Sequence, residues 1–443
     1  MARLNMLNLN SRPRTHEGAP ARNISTELQL RRSVLACLLW ESQFYEDGAE
    51  IAGRIAELVP KVAAEKVAAL AVAARDKMKL RHAPLLLVRE MARHATHRGF
   101  VADTLTRVIQ RADELAEFVA IYWKDGRVPL SAQVKKGLAA AFPKFDEYAL
   151  AKYDRGGPVK LRDVLFLAHA KPRDEAQAEV WKRLIAGELT APDTWEVALS
   201  AGADKREAWE RLLREQKLGA LALLRNLRNM REAGVEEALI LAALREMNTA
   251  RVLPFRFLAA ARYAPQWEEA LEQAMLKGLA SQDNLQEKLA GKTVVLVDVS
   301  GSMTAQLSQR SEMLRTDAAY GLAMLLREIG EKVSVFSFSD LLVEVPARRG
   351  FALRDAIDAS QRHNSTQLGK AVDELNRSHG YDRLIVISDE QAHDAVSAPK
   401  GKGYVINVAS YRNGVGYGKW THIDGWSESV VEYIRSLEQT AEQ

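Results

Sequence analysis

The stretch VVLVDVSGSMTAQ, residues 294–306, joins four apolar residues to an aspartate and then alternates hydroxyl side chains with small residues. The apolar run predicts a buried strand that ends at Val297. Alternate residues of an extended chain face the same side, so we expect Asp298, Ser300 and Ser302 to point together from the loop after this strand.

The chain around this stretch alternates short β-branched runs with amphipathic helical segments. The runs are KTVVLVDV, KVSVFSFS, DRLIVIS and GYVINVA, and helical patterns such as MLRTDAAYGLAMLLREIG separate them. Such alternation predicts an α/β domain with a mainly parallel sheet over residues 291–443. Ligands of such sheets bind beyond the carboxyl ends of the strands, where Asp298 is expected to lie.

Further oxygen ligands are expected at the same edge of the sheet. Thr366, next to Ser365, lies in the loop HNSTQLGKAV before a helix, and Asp389 follows the strand RLIVIS. Two carboxylates and several hydroxyls suit a hard cation, whereas zinc would call for His or Cys. Asp298, Ser300, Ser302, Thr366 and Asp389 are therefore the predicted ligands of Mg²⁺, with another divalent cation as the alternative.

These motifs carry a family resemblance. VDVSGSM, NSTQLGKA and VISDEQ resemble the metal-ion-dependent adhesion site of von Willebrand factor A domains at all five ligand positions. The resemblance implies a Rossmann-like binding module and not a catalyst.

The residues also argue against catalysis. A haloacid-dehalogenase phosphatase needs a second acid where Ser300 stands, and no P-loop is present. A serine hydrolase needs a paired histidine, but His363 and His393 lie in other loops. We expect no enzymatic activity.

Residues 26–285 have a different pattern from the C-terminal part. Apolar residues recur at intervals of three and four residues in segments such as KVAAEKVAALAVAARDKM, and short turns separate these segments. This predicts a HEAT-like α-solenoid of a dozen or so helices. Residues 1–25 mix Asn, Arg, Pro and Gly and are predicted to form an extended arm.

The two parts differ in charge. Residues 291–443 hold 17 Lys and Arg against 20 Asp and Glu, so subtraction from the chain totals of 62 and 58 leaves 45 against 38 for residues 1–290. The basic excess of the helical part is compatible with an anionic partner, and solvated helix faces are the alternative explanation.

Composition indicates a reducing compartment and no membrane insertion. Cys37 is the single cysteine, and the chain has neither a secretory signal pattern nor a long uncharged apolar window. We expect a cytoplasmic protein.

Five stretches of the helical part carry a second family resemblance: QLRRSVLACLLWESQFYEDG, AFPKFDEYALAKYDRGGPVKLRDVLFLAHAKP, APDTWEVALSAG, KLGALALLRNLRNM and VLPFRFLAAARYAP. They resemble the TROVE module of Ro-type RNA-binding proteins. The resemblance implies a monomeric ring of helical repeats whose hole takes single-stranded ends of misfolded non-coding RNA. It further implies structured Y RNA on the outer surface and partner nucleases such as an exoribonuclease.

A basic segment provides candidate RNA contacts. Cations meet phosphates, and aromatic or polar groups touch bases and 2′-hydroxyls. The predicted contacts in this segment are Lys152, Arg155, Lys160, Arg162, His169 and Lys171. The resemblance places Lys152 and His169 on family positions linked to Y RNA, whereas Gly156 replaces a basic residue of the family.

Arg225 and Arg228 in LLRNLRNM are a second predicted RNA-binding pair, because three-residue spacing places them on one helix face. Hydrogen bonding between helices is an equally good explanation for this polar cluster.

The expected function is RNA binding in RNA quality control or processing. A metal-dependent scaffold that grips acidic protein ligands is the alternative.

Overall fold

The computed structural model describes residues 13–21, 25–35, 48–76, 80–154, 157–190, 195, 204–249, 252, 254–281, 288–308, 311–409, 413–416, 418–424, 430, 434 and 438. The chain divides into two compact units. By their described residues, one contains 26–35 and 48–204, and the other contains 13–25 and 205–438.

Ten α-helices make up the described part of the first unit. They are α1 Thr26–Leu35, α2 Gly48–Leu58, α3 Ala64–Asp76, α4 His82–Arg93, α5 Arg98–Val108, α6 Asp113–Tyr122, α7 Ala132–Ala141, α8 Glu147–Tyr153, α9 Leu161–Ala168 and α10 Glu175–Ala186. Acidic caps fix where two of them begin. Asp146 accepts the amide of Ala149 at 2.8 Å, and Asp174 accepts that of Gln177 at 2.8 Å.

Apolar faces of these helices form one continuous core. Phe118 and Phe142 are fully buried in it, and the Trp181 ring meets that of Phe142 edge to face at 5.1 Å between centroids. Such buried apolar stripes on successive helices are what apolar residues at intervals of three and four positions predict.

The second unit begins with five more helices. They are α11 Lys205–Arg214, α12 Ala220–Glu232, α13 Glu237–Glu246, α14 Pro254–Tyr263 and α15 Glu268–Ser281. No helix within the described residues is long and apolar enough to cross a membrane.

An α/β domain follows α15 within the same unit. Its elements are β1 Leu289–Asp298, β2 Gln306–Ser308, β3 Ser311–Leu314, α16 Arg315–Ile329, β4 Gly330–Phe338, β5 Leu342–Val345, α17 Gly350–Asp358, α18 Leu368–Ser378, β6 Arg383–Ser388, β7 Lys402–Asn407 and β8 Trp420–Asp424. α14 packs against α16, where Arg262 donates to Asp317 at 2.8 Å.

The main sheet has the strand order β5-β4-β1-β6-β7-β8. All neighbours are parallel except β5, which pairs antiparallel with β4 at the edge. β1 lies at the centre between β4 and β6, so Val297 pairs with Ile387 and the loops after both strands meet at one edge. This topology places Asp298 and Asp389 together.

The four predicted strands correspond to β1, β4, β6 and β7. The edge strands β5 and β8 and the hairpin β2–β3 lie outside the sequence prediction. These strands are short, and their side chains are mixed in polarity, so they lack the continuous apolar signal of buried parallel strands.

We predict that Gly369→Ala disturbs the edge of the sheet where the two aspartates lie. A Cβ at Gly369 would lie 2.1 Å from the carbonyl oxygen of Ala395, and this backbone contact has no easy relaxation. The substitution should lower the free energy of unfolding by about 2 kcal/mol, measured by urea denaturation.

Gly380→Ala provides the matched control, because nothing lies within 4 Å of a Cβ at that position. Equal stability of the two variants would contradict the close approach of α18 to the backbone at Ala395.

Candidate metal centre and RNA interface

Asp298 ends β1 with both carboxylate oxygens engaged by neighbouring groups. The amide of Ser300 donates to its Oδ1 at 2.8 Å, and the hydroxyl of Ser388 donates to its Oδ2 at 2.6 Å. The bond to Ser388 crosses from β1 to β6. Asp298 and Ser388 are both fully buried, so this carboxylate is fixed by the sheet itself.

A short 3₁₀ turn over Gly301–Thr304 brings the two serine hydroxyls together. Ser300 Oγ lies 3.2 Å from Ser302 Oγ. The amide of Gly301 donates to the carbonyl oxygen of Asn364 at 2.9 Å and thereby ties this loop to the loop of Thr366. Ser300 is buried, whereas Ser302 is partly exposed, so the site opens toward solvent beside Ser302.

Thr366 is held in place by two reciprocal bonds to His393. The amide of Thr366 lies 3.1 Å from His393 Nδ1, and the amide of His393 donates to the carbonyl oxygen of Thr366 at 3.0 Å. Its neighbour Ser365 turns its hydroxyl to Asp340 instead. Of the predicted hydroxyl pair, only Thr366 is thus left next to the loop that carries Asp389.

Asp389, the residue after β6, is fully buried like Asp298. Arg315 Nη1 lies 3.2 Å from Asp389 Oδ2 and also donates to the carbonyl oxygen of Ser302 at 3.2 Å. The guanidinium therefore joins the loops after β1 and β6.

Burial raises the pKa of Asp298 to about 7, and the negative charge of Asp389 adds to the rise. Two desolvated carboxylates at one strand edge need positive charge beside them. The donors at this edge are carboxylate and hydroxyl oxygens, which fit a hard divalent cation. No group of three or more His, Cys, Asp or Glu side chains with metal-binding geometry occurs among the described residues.

Residues 13–21 of the predicted arm fold back onto the loop that follows Asp389. The hydroxyl of Thr15 donates to the carbonyl oxygen of Ala392 at 2.9 Å, and Glu17 Oε2 lies 3.3 Å from His393 Nε2. A bridge between Arg14 and Pro20 closes this turn. Sequence reasoning did not predict this contact, because an irregular polar segment carries no signal for its partner.

The predicted basic segment falls on α8, α9 and the residues around them in the first unit. Lys160, Arg162, His169 and Lys171 are exposed, and Lys152 is half-buried with its Nζ over the rings of Tyr148 and Tyr153. Arg155 lies outside the described residues. His169 ends α9 in the left-handed conformation with a φ of 54°, so a non-glycine residue occupies a position that favours glycine.

One face of α9 combines an arginine and a histidine with an exposed aromatic ring. Arg162, Phe166 and His169 are spaced by four and three residues, and Phe166 is 58 % exposed. The opposite face, with Leu161, Val164, Leu165 and Ala168, is buried. Sequence reasoning missed Phe166, although its offset from the buried positions of the helix was a usable signal.

The second predicted RNA-binding pair, Arg225 and Arg228, lies on α12 next to a buried asparagine. Arg225 and Arg228 are exposed on α12, and Arg228 donates to Glu232 at 2.8 Å. Asn226 is buried and bonds back to the carbonyl oxygen of Ala222 at 2.9 Å. The bonds described for Asn226 lie within α12 rather than between helices, and the two arginines are exposed.

Three comparisons relate the chain to known proteins. The family model described as "TROVE domain" matches residues 172–368. A mouse protein named "Telomerase protein component 1" is 37 % identical over 89 residues, which is 18 % of this chain and 3 % of the relative. The chain thus spans only a small part of the length of this curated relative.

The fold is similar to that of a solved structure. The crystal structure of the Deinococcus radiodurans RO (RSR) protein matches with a TM-score of 0.64 and 17 % identity, over 93 % of this chain and 99 % of that chain. This likeness confirms the predicted fold class of helical repeats followed by an α/β domain. The family model confirms the recognised TROVE resemblance.

We predict that magnesium affinity increases with pH up to about 7, because the ion must displace the proton that burial and Asp389 keep on Asp298. Calorimetry in two buffers of different ionisation enthalpy should detect proton release on binding below that pH. Asp298→Asn should abolish binding, whereas Asp373→Asn, on an exposed position of α18, should leave it unchanged.

The same pKa shift of Asp298 contributes to the pH dependence of the stability of the metal-free protein. The folded state binds this proton more tightly than the unfolded state, so stability should decrease as pH increases from the ordinary value of 3.8 to about 7. A magnesium affinity independent of pH in this window would contradict the assignment of Asp298.

Proposed function

The chain carries a TROVE domain, and on this premise we propose that it binds non-coding RNA. The exposed face of α9 is the main support for the proposal, because it places the ring of Phe166 between Arg162 and His169. A structured, Y-like small RNA would lie on this face, and single-stranded ends of misfolded RNA would be held by the helical repeats. The protein would act in the cytoplasm as a monomer with a partner exoribonuclease, and would not itself catalyse a reaction.

The chemistry of the α9 face suits RNA better than protein. Lys160, Arg162 and Lys171 offer positive charge to phosphates, and they are exposed on neighbouring parts of the chain. Burial raises the pKa of Asp154, and the nearby charge of Asp163 adds to this rise, whereas Lys160 and Arg162 lower the pKa. Asp154 therefore offsets only part of the positive charge of these cations. The phenyl ring of Phe166 is 58 % exposed, and a base of the RNA would stack on it.

We expect affinity for a structured RNA with a single-stranded 3′ tail to fall steeply with salt. The triple variant Lys160→Gln, Arg162→Gln and Lys171→Gln should reduce the slope of log affinity against log salt by about 2 to 3. Filter binding across salt concentrations measures both slopes.

The control is a triple variant that replaces the exposed cations Lys182, Arg206 and Arg214 by Gln. These side chains pair with glutamates on α10 and α11 and should contribute less to the slope. A salt slope that is flat in the wild type would reject phosphate binding as the basis of affinity.

Phe166→Ala should weaken RNA binding at every salt concentration without changing the salt slope. Stacking of one base contributes about 1 to 3 kcal/mol, which corresponds to a loss of roughly 5- to 150-fold in affinity. Fluorescence anisotropy with a labelled RNA measures the loss.

Phe100→Ala is the matched control, because Phe100 is also an exposed phenylalanine of the first unit, at 36 %. Equal affinities of the Phe166 and Phe100 variants would remove the stacking role.

We further propose that Asp298, Ser300, Ser302, Thr366 and Asp389 hold a magnesium ion. The donors are oxygens, and Ser302 stands at the open side of the group, where an anionic ligand can approach. A carboxylate of a partner nuclease or an RNA phosphate would bind there. This opening is also what favours the second candidate function, a metal-dependent scaffold for acidic proteins. Recovery of the purified protein with or without bound RNA distinguishes the two.

A further inference from the structure

Arg315 is a buried cation among the proposed metal ligands. Its side chain is 3 % exposed, and its Nη1 lies 3.2 Å from Oδ2 of the fully buried Asp389. The same nitrogen donates to the carbonyl oxygen of Ser302. The guanidinium thus contacts one proposed ligand directly and the backbone of a second.

The position of Arg315 is unfavourable for a cation by local rules. It is the first residue of α16, where the helix dipole disfavours positive charge. Asp317 supplies the usual acidic group of a helix start, since it accepts the amide of Leu314 at 2.7 Å. The contact with Asp389 offsets the unfavourable position of Arg315 at the start of the helix.

The positive charge of Arg315 affects how strongly the site would bind a metal ion. Asp298 and Asp389 supply two buried carboxyl groups, and Arg315 places one positive charge at the same edge of the sheet. A divalent ion would therefore meet a weaker field than two carboxylates alone would give, and it would share Asp389 with the guanidinium. In the absence of an ion, the guanidinium still keeps Asp389 paired.

We propose that Arg315 is a built-in counter-cation that weakens metal binding and makes the fold of the α/β domain independent of the metal. This inference rests on the proposed magnesium site. The metal would bind at this site only at high ion concentration. The bound ion would keep an excess of positive charge that attracts an anionic ligand.

The test compares the full-length wild type with Arg315→Met by calorimetric titration with Mg²⁺ and with Mn²⁺. Loss of the competing charge should tighten binding of both ions about tenfold or more. The metal-free variant should unfold at a lower temperature than the wild type, and saturating ion should raise its unfolding temperature by more than it raises that of the wild type.

Arg383→Met is the matched control. Arg383 is similarly buried, pairs with Glu438 and lies at the opposite end of β6 from Asp389. It should lower the unfolding temperature without changing the affinity for either ion. Arg315→Lys, which keeps the charge, should bind metal nearly as weakly as the wild type.

Unchanged or weaker metal binding by Arg315→Met would overturn the role of Arg315. If that variant does not fold, the smaller change Arg315→Gln is judged by the same criterion. Failure of the wild type to bind either ion would instead overturn the magnesium site itself, so the two failures are distinguishable.

Discussion

Repulsion between two buried carboxylates is the constraint on which the α/β domain depends. β1 and β6 are parallel neighbours, so their carboxyl ends place Asp298 and Asp389 at one edge with no access to bulk water. Desolvated like charges are unfavourable unless donors and cations surround them. The amide of Ser300, the hydroxyl of Ser388 and the guanidinium of Arg315 serve that purpose.

The sequence was sufficient to predict the central strands and the donor loops, because continuous β-branched runs report burial on both faces of a parallel sheet. It could not reveal Arg315, which reads as one more cation at the edge of a helix. Its partner Asp389 lies 74 positions further along the chain. The contact of Thr15 with Ala392 spans 377 positions, and neither pairing leaves a periodic trace in the sequence.

The proposed RNA interface illustrates what a sequence pattern does not reveal. Cations in polar stretches are easily identified as exposed, so the exposure of Lys160, Arg162 and Lys171 could be predicted. An apolar residue inside an amphipathic helix is ordinarily assigned to the core, and only the packing of α9 shows that Phe166 lies on its outer face. The exposure of Phe166 therefore depends on tertiary packing and could not be predicted from the sequence pattern.

Protein contacts join the loops that carry the proposed ligands. His393 fixes Thr366 through two bonds, Gly301 fastens the serine loop to Asn364, and Thr15 holds the backbone at Ala392. Because these contacts join the loops independently of the proposed ligand side chains, binding of the proposed ion would require little ordering of the chain. The affinity for the proposed ion would then depend on the local charges, among which the guanidinium of Arg315 beside Asp389 opposes a second cation.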